Sequence, residues 1–271
     1  MPNKIRLFWW NERLIQQKPK ENYGDMLGKY LVEKISGKNV EFAWPKKRSY
    51  KDYFSPIYVT VGSILTHINK KCIVWGSGII SKEYHIKNAK FLAVRGPQTR
   101  KFLINLGYQV PEVYGDPALL LSKYFNPPVE KKIRYGVIPH YNDYDKIKYW
   151  FNEFDDVKVI DLMTNDVEKT TIEIMECENI ISSSLHGLIV SHVYNIPAIW
   201  QKFSNKVFGD DIKYQDYMES VQLFFYEPEI RQTPYTYSEL EMLFTSYPSL
   251  PDAQKMENIK TGLLETCPFK K

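Results

Sequence analysis

One segment, residues 179–200, constrains the fold of this chain more than any other. Its sequence is NIISSSLHGLIVSHVYNIPAIW, in which an apolar run leads into a polar turn and then into apolar residues at helical spacing. This order predicts a strand over residues 179–182, a turn and a helix over residues 185–194. A buried strand that runs directly into a helix is typical of parallel α/β sheets.

His186 falls in the first turn of that predicted helix. Backbone N–H groups at this position lack intrahelical partners, and the helix dipole adds partial positive charge. The position therefore suits an anion such as a phosphate or a carboxylate, bound beside an imidazole. The alternative is a capped helix with a packed histidine, and the segment alone leaves both interpretations open.

The alternation of strands and helices recurs along the chain. In the first half it predicts strands at residues 5–9, 58–61, 72–75, 91–94 and 112–114, with helices at 26–35, 96–106 and 118–124. In the second half it predicts strands at 135–139, 157–161, 179–182 and 198–200, with helices at 145–154, 166–177 and 185–194. We therefore predict an α/β protein with two Rossmann-like, doubly wound domains that face a central cleft.

Two adjacent prolines separate the two halves of the pattern. The segment FNPPVEKK, residues 125–132, excludes continuation of the preceding helix and is interpreted as a linker. We predict an N-terminal domain over residues 1–126, a C-terminal domain over residues 131–246, and a tail over residues 247–271 that wraps a domain or serves an interaction.

The charge is distributed unevenly between the halves. Residues 1–125 contain 21 basic and 9 acidic side chains, and residues 126–271 contain 15 and 23. This asymmetry favours two domains, the basic one facing an anionic partner or a membrane surface. Nucleic acid is not expected, because the basic residues are scattered and no helix-turn-helix, zinc-finger or RNA-recognition pattern accompanies them.

The composition predicts a soluble, cytoplasmic protein without a metal site. No signal peptide is visible, and no stretch approaches the roughly 20 apolar residues that a membrane-spanning helix needs. The three cysteines, Cys72, Cys177 and Cys267, stand far apart and show neither zinc-ligand spacing nor a redox pair. We expect them to be reduced thiols.

Polar residues follow the predicted strands of the first half, at the sheet edge where such folds bind ligands. Asn22 and Asp25 lie between the first strand and the first helix, although Asp25 could equally cap that helix. Ser63 and Ser77 each follow a strand within a glycine-containing segment, for which structural turns are the alternative.

Two charged residues end further strands. Arg95 precedes Gly96 and Pro97, and its planar guanidinium could bind a carboxylate or a phosphate through two hydrogen bonds. The alternative is a surface salt bridge. Asp116 precedes Pro117, where it could cap a helix, the interpretation that we favour, or accept a sugar hydroxyl.

His140 follows the strand at residues 135–139 and could face His186 across neighbouring strand ends. The other histidines, His67, His85 and His192, lack this placement, and we expect His192 to pack inside its helix. Residues 203–217 are predicted to form a polar and aromatic loop that contains Lys213, and such loops commonly close a site.

Six motifs together resemble the polysaccharide pyruvyltransferase family. They are NYGD at 22–25, VRGPQT at 94–99, GDPALL at 115–120, IPHY at 138–141, SSLHGLIV at 183–190 and the KxxDY pattern that ends at residue 217. The resemblance covers roughly residues 20–220. It implies a GT-B-like fold and the transfer of a pyruvyl group from phosphoenolpyruvate to sugar hydroxyls, commonly as a cyclic ketal.

The resemblance also implies roles for individual residues. His186 becomes the catalytic acid or base and Arg95 a ligand of the donor anion, while Ser184 and Leu185 belong to the binding site. Many family members carry arginine directly before the LHG motif, where this chain has Ser184. The missing charge could come from a lysine in the following loop, at residues 202, 206 or 213.

The predicted function is therefore a pyruvyltransferase that needs no cofactor and acts in the synthesis of a bacterial capsule, exopolysaccharide or cell-wall glycan. A lipid-diphosphate-linked acceptor would suit the basic half and a peripheral position at the inner membrane face. Two alternatives remain open, namely a GT-B glycosyltransferase that uses a nucleotide sugar and a catalytically silent saccharide-binding subunit. The sequence does not specify the oligomeric state.

Overall fold

The computed structural model describes residues 4–47 and 50–270 and, at residues 52 and 53, the backbone alone. Within these ranges the chain forms two parallel β-sheets interspersed with helices, and a short antiparallel ladder of two strands. This confirms the predicted α/β class with Rossmann-like parallel sheets. The finer assignment to the GT-B arrangement stays a prediction.

The first sheet has five parallel strands and the second has four. In chain order the strands are β1 (Ile5–Phe8), β2 (Glu21–Asn22), β3 (Val40–Phe42), β4 (Ile57–Val59), β5 (Cys72–Trp75), β6 (Lys90–Ala93), β7 (Ile133–Ile138), β8 (Val157–Val159), β9 (Met163–Thr164), β10 (Cys177–Ser182) and β11 (Ala198–Trp200). The strand orders are β3-β1-β4-β5-β6 and β11-β10-β7-β8. Parallel sheets need both faces covered, so their strands are rich in buried apolar residues.

Ten α-helices connect or follow these strands in the described ranges. They are α1 (Glu12–Gln16), α2 (Tyr23–Ser36), α3 (Pro97–Asn105), α4 (Leu121–Tyr124), α5 (Tyr144–Trp150), α6 (Val167–Met175), α7 (Leu185–Val193), α8 (Ile212–Ser220), α9 (Tyr237–Ser246) and α10 (Ala253–Glu265). Asn22 caps α2 by accepting the backbone N–H of Gly24, which leaves Asp25 free of the capping role that the sequence allowed.

Several predicted elements differ from the structure. The strand at 112–114 is a single bridge between Tyr114 and Val94, because the next residues turn into a 3-10 helix at Pro117. The helix predicted over residues 166–177 is α6, which begins after its cap Asp166, an acceptor of the N–H of Lys169, and ends at Met175. The loop predicted over residues 203–217 is helical from Ile212 onward.

The two halves share one hydrophobic core. This core joins Leu7 and Trp75 of the first sheet to Ile180 and Trp200 of the second. The β2–β9 ladder also pairs the halves, because Glu21 and Asn22 of one bond Thr164 and Met163 of the other. The predicted domain boundaries stay predictions, but the halves are packed against each other.

The C-terminal segment packs against the first half instead of extending away from it. The indole N–H of Trp75 donates to the carbonyl of Leu263 in α10 over 3.0 Å, and the ring of Phe269 lies 4.8 Å from that of Tyr58. Of the two roles predicted for residues 247–271, these contacts agree with wrapping, and the role of the tail stays a prediction. Among the helices that the structure describes, none is long and apolar enough to cross a membrane.

Candidate functional site

A cleft of about 660 Å3 lies between the carboxyl ends of the strands of the two sheets. The first half contributes Trp10, Glu12, Gln16, Asn22, Asp25, Lys46, Gly62, Ser63, Ile64, Thr66, His67, Ile80, Tyr84 and His85. The second half contributes His140, Tyr141, Ser183, Ser184, Leu185, His186, Val207, Phe208, Lys213 and Tyr214. The cleft is where ligands of parallel α/β sheets bind.

The turn between β10 and α7 is held by hydrogen bonds on both sides. Ser183 accepts the backbone N–H of His140 on its hydroxyl over 2.7 Å, and its carbonyl accepts the hydroxyl of Tyr214 over 2.7 Å. Ser182 accepts the N–H of Ser184 over 3.0 Å. The side chain of Ser184 does not cap α7, and Ser184, Leu185 and His186 at the start of this helix line the cleft.

His186 lies in that first turn and points one ring nitrogen at a buried carboxylate. Its Nε2 is 3.6 Å from Oδ2 of Asp116, and both atoms are buried without another hydrogen-bond partner. The other oxygen of Asp116 accepts the N–H of Ala118 over 2.9 Å, which fixes the carboxylate. A slight rotation of the imidazole would close the Asp116–His186 hydrogen bond, and such contacts often tighten when substrate binds.

One face of the His186 ring packs on the backbone of Gly24 at the start of α2. A Cβ atom at position 24 would lie 2.0 Å from Nδ1 of His186, so only glycine leaves room for the ring. Since Nε2 is directed at Asp116, Nδ1 is the ring nitrogen that remains to act on a ligand. The geometry is that of an imidazole oriented by a carboxylate.

Asp25 lines the cleft one residue beyond Gly24 and has no hydrogen bond or ion pair within the described part of the chain. Burial raises the pKa of this carboxyl well above its usual range, and the charges of Glu12 and Glu21 raise it further. Lys213 and Lys18 act in the opposite direction. A partnerless carboxyl with a raised pKa in a cleft is suited to proton transfer.

Lys213 is the cation of α8 in the cleft. Burial lowers its pKa to about 8, and the charge of Arg95 lowers it further against the opposing effect of Asp211 and Asp25. Its Nζ donates to the carbonyl of Phe208 over 3.1 Å. Near neutral pH Lys213 is therefore cationic, but it loses its proton at a lower pH than an exposed lysine.

His140 faces the same space and is neutral. Burial lowers its pKa to about 4, and the charges of Lys213 and Lys18 contribute while Asp143 opposes them. Its Nδ1 accepts the backbone N–H of Asn142 over 3.3 Å, which puts the proton of the neutral ring on Nε2. His140 can therefore donate one hydrogen bond to an anion in the cleft.

Arg95 lies behind the cleft wall with its guanidinium fully buried. Its Nε donates to Asp216 over 3.0 Å, its Nη2 donates to the carbonyl of Ile79 over 2.7 Å, and its Nη1 donates to the hydroxyl of Ser63. Asp216 also accepts the N–H and the hydroxyl of Thr99. In this arrangement Arg95 joins the two halves and acts on the cleft through Ser63.

Comparison with known proteins agrees with this arrangement. A family model described as polysaccharide pyruvyl transferase matches residues 22–200, about two thirds of the chain. The chain belongs to the polysaccharide pyruvyl transferase family. It is also 34% identical over 205 residues to an uncharacterized protein of Acanthamoeba polyphaga mimivirus, an alignment that covers 73% of this chain and 70% of the viral protein.

The family match begins at Asn22 and ends at Trp200, so it contains five of the six motifs on which the resemblance was based and leaves out the KxxDY pattern that ends at residue 217. The family contains transferases, and the chain is therefore assigned to a transferase family. Lys213 follows the matched range, so its position in the cleft rests on the sequence prediction and on the structure, without support from the family match.

Eight of the eleven residues predicted for the site line the cleft. They are Asn22, Asp25, Ser63, His140, Ser184, Leu185, His186 and Lys213. The other three, Ser77, Arg95 and Asp116, are fully buried and do not line it. Ser77 donates to the carbonyl of Gly62, as the alternative of a structural turn required, and Asp116 caps the 3-10 helix at Pro117.

The prediction that set His67 and His85 aside was wrong, because both line the cleft. His67 belongs to a 3-10 turn after β4, with its ring centroid 5.6 Å from that of Phe8 and 5.4 Å from that of Trp10. Burial lowers its pKa to about 4. His192 is buried and bonds the hydroxyl of Tyr217, which confirms its packing role.

Sequence reasoning also missed Glu12, Tyr141 and the rim residues Tyr84 and Phe208. Glu12 begins α1, four residues after β1 ends at Phe8, so its position near a strand end was visible in the sequence. No sequence signal indicated the rim residues, because they meet only when residues 207–211 fold over the loop after β5.

Among the described residues, no group of three or more histidine, cysteine, aspartate or glutamate side chains is arranged to hold a metal ion.

Gly24→Ala tests the packing of the His186 imidazole on the start of α2. We expect a loss of turnover with little loss of stability, because alanine favours the helix by up to about 1 kcal/mol while its methyl group displaces the His186 ring. The matched control is Gly262→Ala in α10, where the added carbon would lie 3.6 Å from Val113. Equal turnover of the two variants would contradict the assignment of His186.

Proposed function

We propose that this protein transfers a pyruvyl group from phosphoenolpyruvate to hydroxyls of a saccharide. The observation that carries the proposal is the uncapped start of α7, which opens into the cleft beside the Asp116–His186 pair. Phosphoenolpyruvate has a phosphate, a carboxylate and a methylene carbon that must be protonated. This end of the cleft offers hydrogen-bond donors and a cation for the phosphate and the carboxylate, and an acid for the methylene carbon.

The two anions of the donor suit the groups at the start of α7. Unpaired N–H groups of Leu185 and His186 favour one anion, and the helix dipole adds to that attraction. Lys213 and the Nε2–H of His140 offer further donors in the same space. This set would replace the charge of the arginine that many family members have at the position of Ser184.

His186 is proposed as the acid that protonates the methylene carbon. The Asp116 carboxylate behind Nε2 would stabilise the imidazolium, and a bound phosphate would favour the same charged form. Transfer of that proton from Nδ1 leaves a cationic centre at the carbon that bears the phosphate. A sugar hydroxyl then attacks this carbon.

Asp25 is proposed as the base that takes the proton of the attacking hydroxyl. Its raised pKa makes the carboxylate a stronger base than an exposed aspartate. The proton would pass to the departing phosphate, while the second hydroxyl closes the ketal and returns a proton to His186. In total, one hydroxyl proton ends on the departing phosphate. The other replaces the proton that His186 gave to the new methyl group.

The acceptor end of the cleft is proposed to be its rim on the side of the first half. Trp10, Tyr84 and Phe208 offer aromatic faces there, and aromatic side chains suit the apolar faces of sugars. Family membership implies a polysaccharide acceptor. We further propose that the acceptor is a lipid-diphosphate-linked precursor of a bacterial capsule, exopolysaccharide or cell-wall glycan, used on the cytoplasmic side of the membrane.

Binding experiments distinguish this function from its two alternatives. We expect calorimetry to show that phosphoenolpyruvate binds to the wild-type protein and more weakly to Lys213→Ala. Binding of a nucleotide sugar without binding of phosphoenolpyruvate would favour the glycosyltransferase alternative. Saccharide binding without any turnover would favour the silent subunit.

The pH dependence of donor capture tests the role of Lys213. Its cationic form predominates below its pKa of about 8, so kcat/KM for phosphoenolpyruvate is expected to fall as the pH rises through that value. In Lys213→Arg the guanidinium keeps its charge, and the alkaline decline should move above pH ~10. The control is Lys148→Arg on the exposed face of α5, which should leave the profile unchanged. An unchanged alkaline limb in Lys213→Arg would contradict this role.

A further inference from the structure

A second cavity lies at the opposite edge of the first sheet, and the proposed function does not use it. It has a volume of about 270 Å3 and opens where β1 and β4 begin. The residues that line it are Lys4, Ile5, Arg6, Ser36, Lys38, Ser55, Pro56, Tyr58, Pro268, Phe269 and Lys270. Four of them are basic, and no described lining residue is acidic.

The cations of this cavity come from segments that are far apart in sequence. Arg6 is 7% exposed, and its Nη1 donates to the carbonyl of Ser55 over 2.9 Å, so the guanidinium is held in the wall. Lys38 and Lys270 are exposed at the rim. Like charges brought together in a concavity raise the local concentration of anions.

The acid that lies beside the cavity in the β1–β3 pair is bound by a lysine outside the cavity. Glu41 lies beside Arg6 in the β1–β3 register, but its carboxylate bonds Lys51 over 2.6 Å. The hydrogen bond from Lys51 is the largest cause of the lowered pKa of Glu41, and the charges of Arg6 and Lys4 contribute less. Among the described residues that line the cavity, none supplies a carboxylate to Lys38 or Lys270.

Two large aromatic side chains are exposed in the segment that leads into the cavity wall at Ser55. Phe54 is 84% exposed and directly precedes Ser55 of the cavity wall, and Tyr50 is 74% exposed in the same turn of chain. Aromatic residues at the rim of a basic surface are typical of proteins that lie on a bilayer, where the rings reach the headgroup level. A site for a free anion would not need them.

We propose that this basic cavity binds the phosphate of an anionic lipid and, with Phe54 and Tyr50 inserted beside it, holds the protein on a membrane surface. The basic balance of the first half agrees with this orientation. Because the cavity and the catalytic cleft lie at opposite edges of the sheet, lipid binding leaves the cleft open. The proposal does not depend on the reaction that the cleft performs.

Sedimentation with vesicles tests the proposal. We expect the full chain to bind vesicles that contain phosphatidylglycerol and not vesicles of phosphatidylcholine alone, with weaker binding as salt increases. Lys38→Glu with Lys270→Glu should weaken binding at least about tenfold, since each basic residue near an anionic surface contributes roughly fivefold. Phe54→Ser should weaken binding to a similar or smaller extent.

The controls carry the same chemical changes on the other half of the protein. Lys146→Glu with Lys148→Glu matches the charge reversal, and Phe224→Ser, at a side chain that is 77% exposed, matches the loss of an aromatic ring. Equal binding by the cavity variants and their controls would overturn the proposal. Inorganic phosphate that binds at the cavity, without binding of anionic vesicles, would overturn it in favour of a free-anion site.

Discussion

Replacement of His186 with alanine is expected to lower the turnover of pyruvyl transfer by about 10²–10⁴-fold, the usual contribution of a positioned general acid. The ring is placed by the first turn of α7, by the backbone of Gly24 and by the Asp116 carboxylate at 3.6 Å. Initial rates of phosphate release at saturating donor and acceptor would measure the effect.

Two companion variants make this result specific. Asp116→Asn keeps the shape of the side chain but removes the charge behind His186, so it should also lower turnover and shift the pH profile of kcat. His85→Ala removes another cleft histidine that has no place in the proposed proton transfers and should retain most of the turnover. Activity of His186→Ala close to that of His85→Ala would contradict the acid role.

Asp216→Ala is expected to lower the free energy of unfolding by about 3–5 kcal/mol, because it leaves a buried guanidinium without its counterion. The carboxylate accepts from Nε of Arg95, from the N–H of Thr99 and from the hydroxyl of Thr99, over 2.6–3.0 Å. Both members of the ion pair are fully buried. Urea denaturation at constant m-value would measure the loss.

Glu219→Ala in the same helix is the matched control. Its carboxylate accepts the side-chain amides of Gln98 and Gln215, but the site is only partly buried, so we expect a loss of about 1 kcal/mol or less. Equal destabilisation by the two variants would show that α8 is held to α3 by general packing, and the structural role assigned to Arg95 would then be wrong.

Much of the fold could be predicted from the sequence. The strands β5 and β11 match their predicted bounds, because each is a continuous apolar run between turn-forming residues. Helix α1 was missed because five residues are too few to show helical periodicity. Helix α9 was missed although Thr236 and Glu239 form a capping box, a pattern visible in the sequence that the prediction did not use.

The site was predictable as far as strand ends determine it. His140 and His186 follow the parallel strands β7 and β10, and parallel strands bring their carboxyl ends to one edge. The separation of Arg95 from the cleft was not predictable, since it depends on Asp216, which is 121 residues away in the chain. The favoured interpretation of Asp116 as a cap is confirmed, and its second carboxylate oxygen also lies 3.6 Å from Nε2 of His186.

The most direct test of the proposed reaction is to incubate the protein with phosphoenolpyruvate and a panel of galactosides and N-acetylmannosamine glycolipids in D2O. The account predicts phosphate release matched by an acceptor that gains the mass of pyruvic acid less water, with deuterium in the new methyl group. Protonation at the methylene carbon requires that deuterium. The absence of phosphate release with every acceptor, together with tight binding of a nucleotide sugar, would contradict the account.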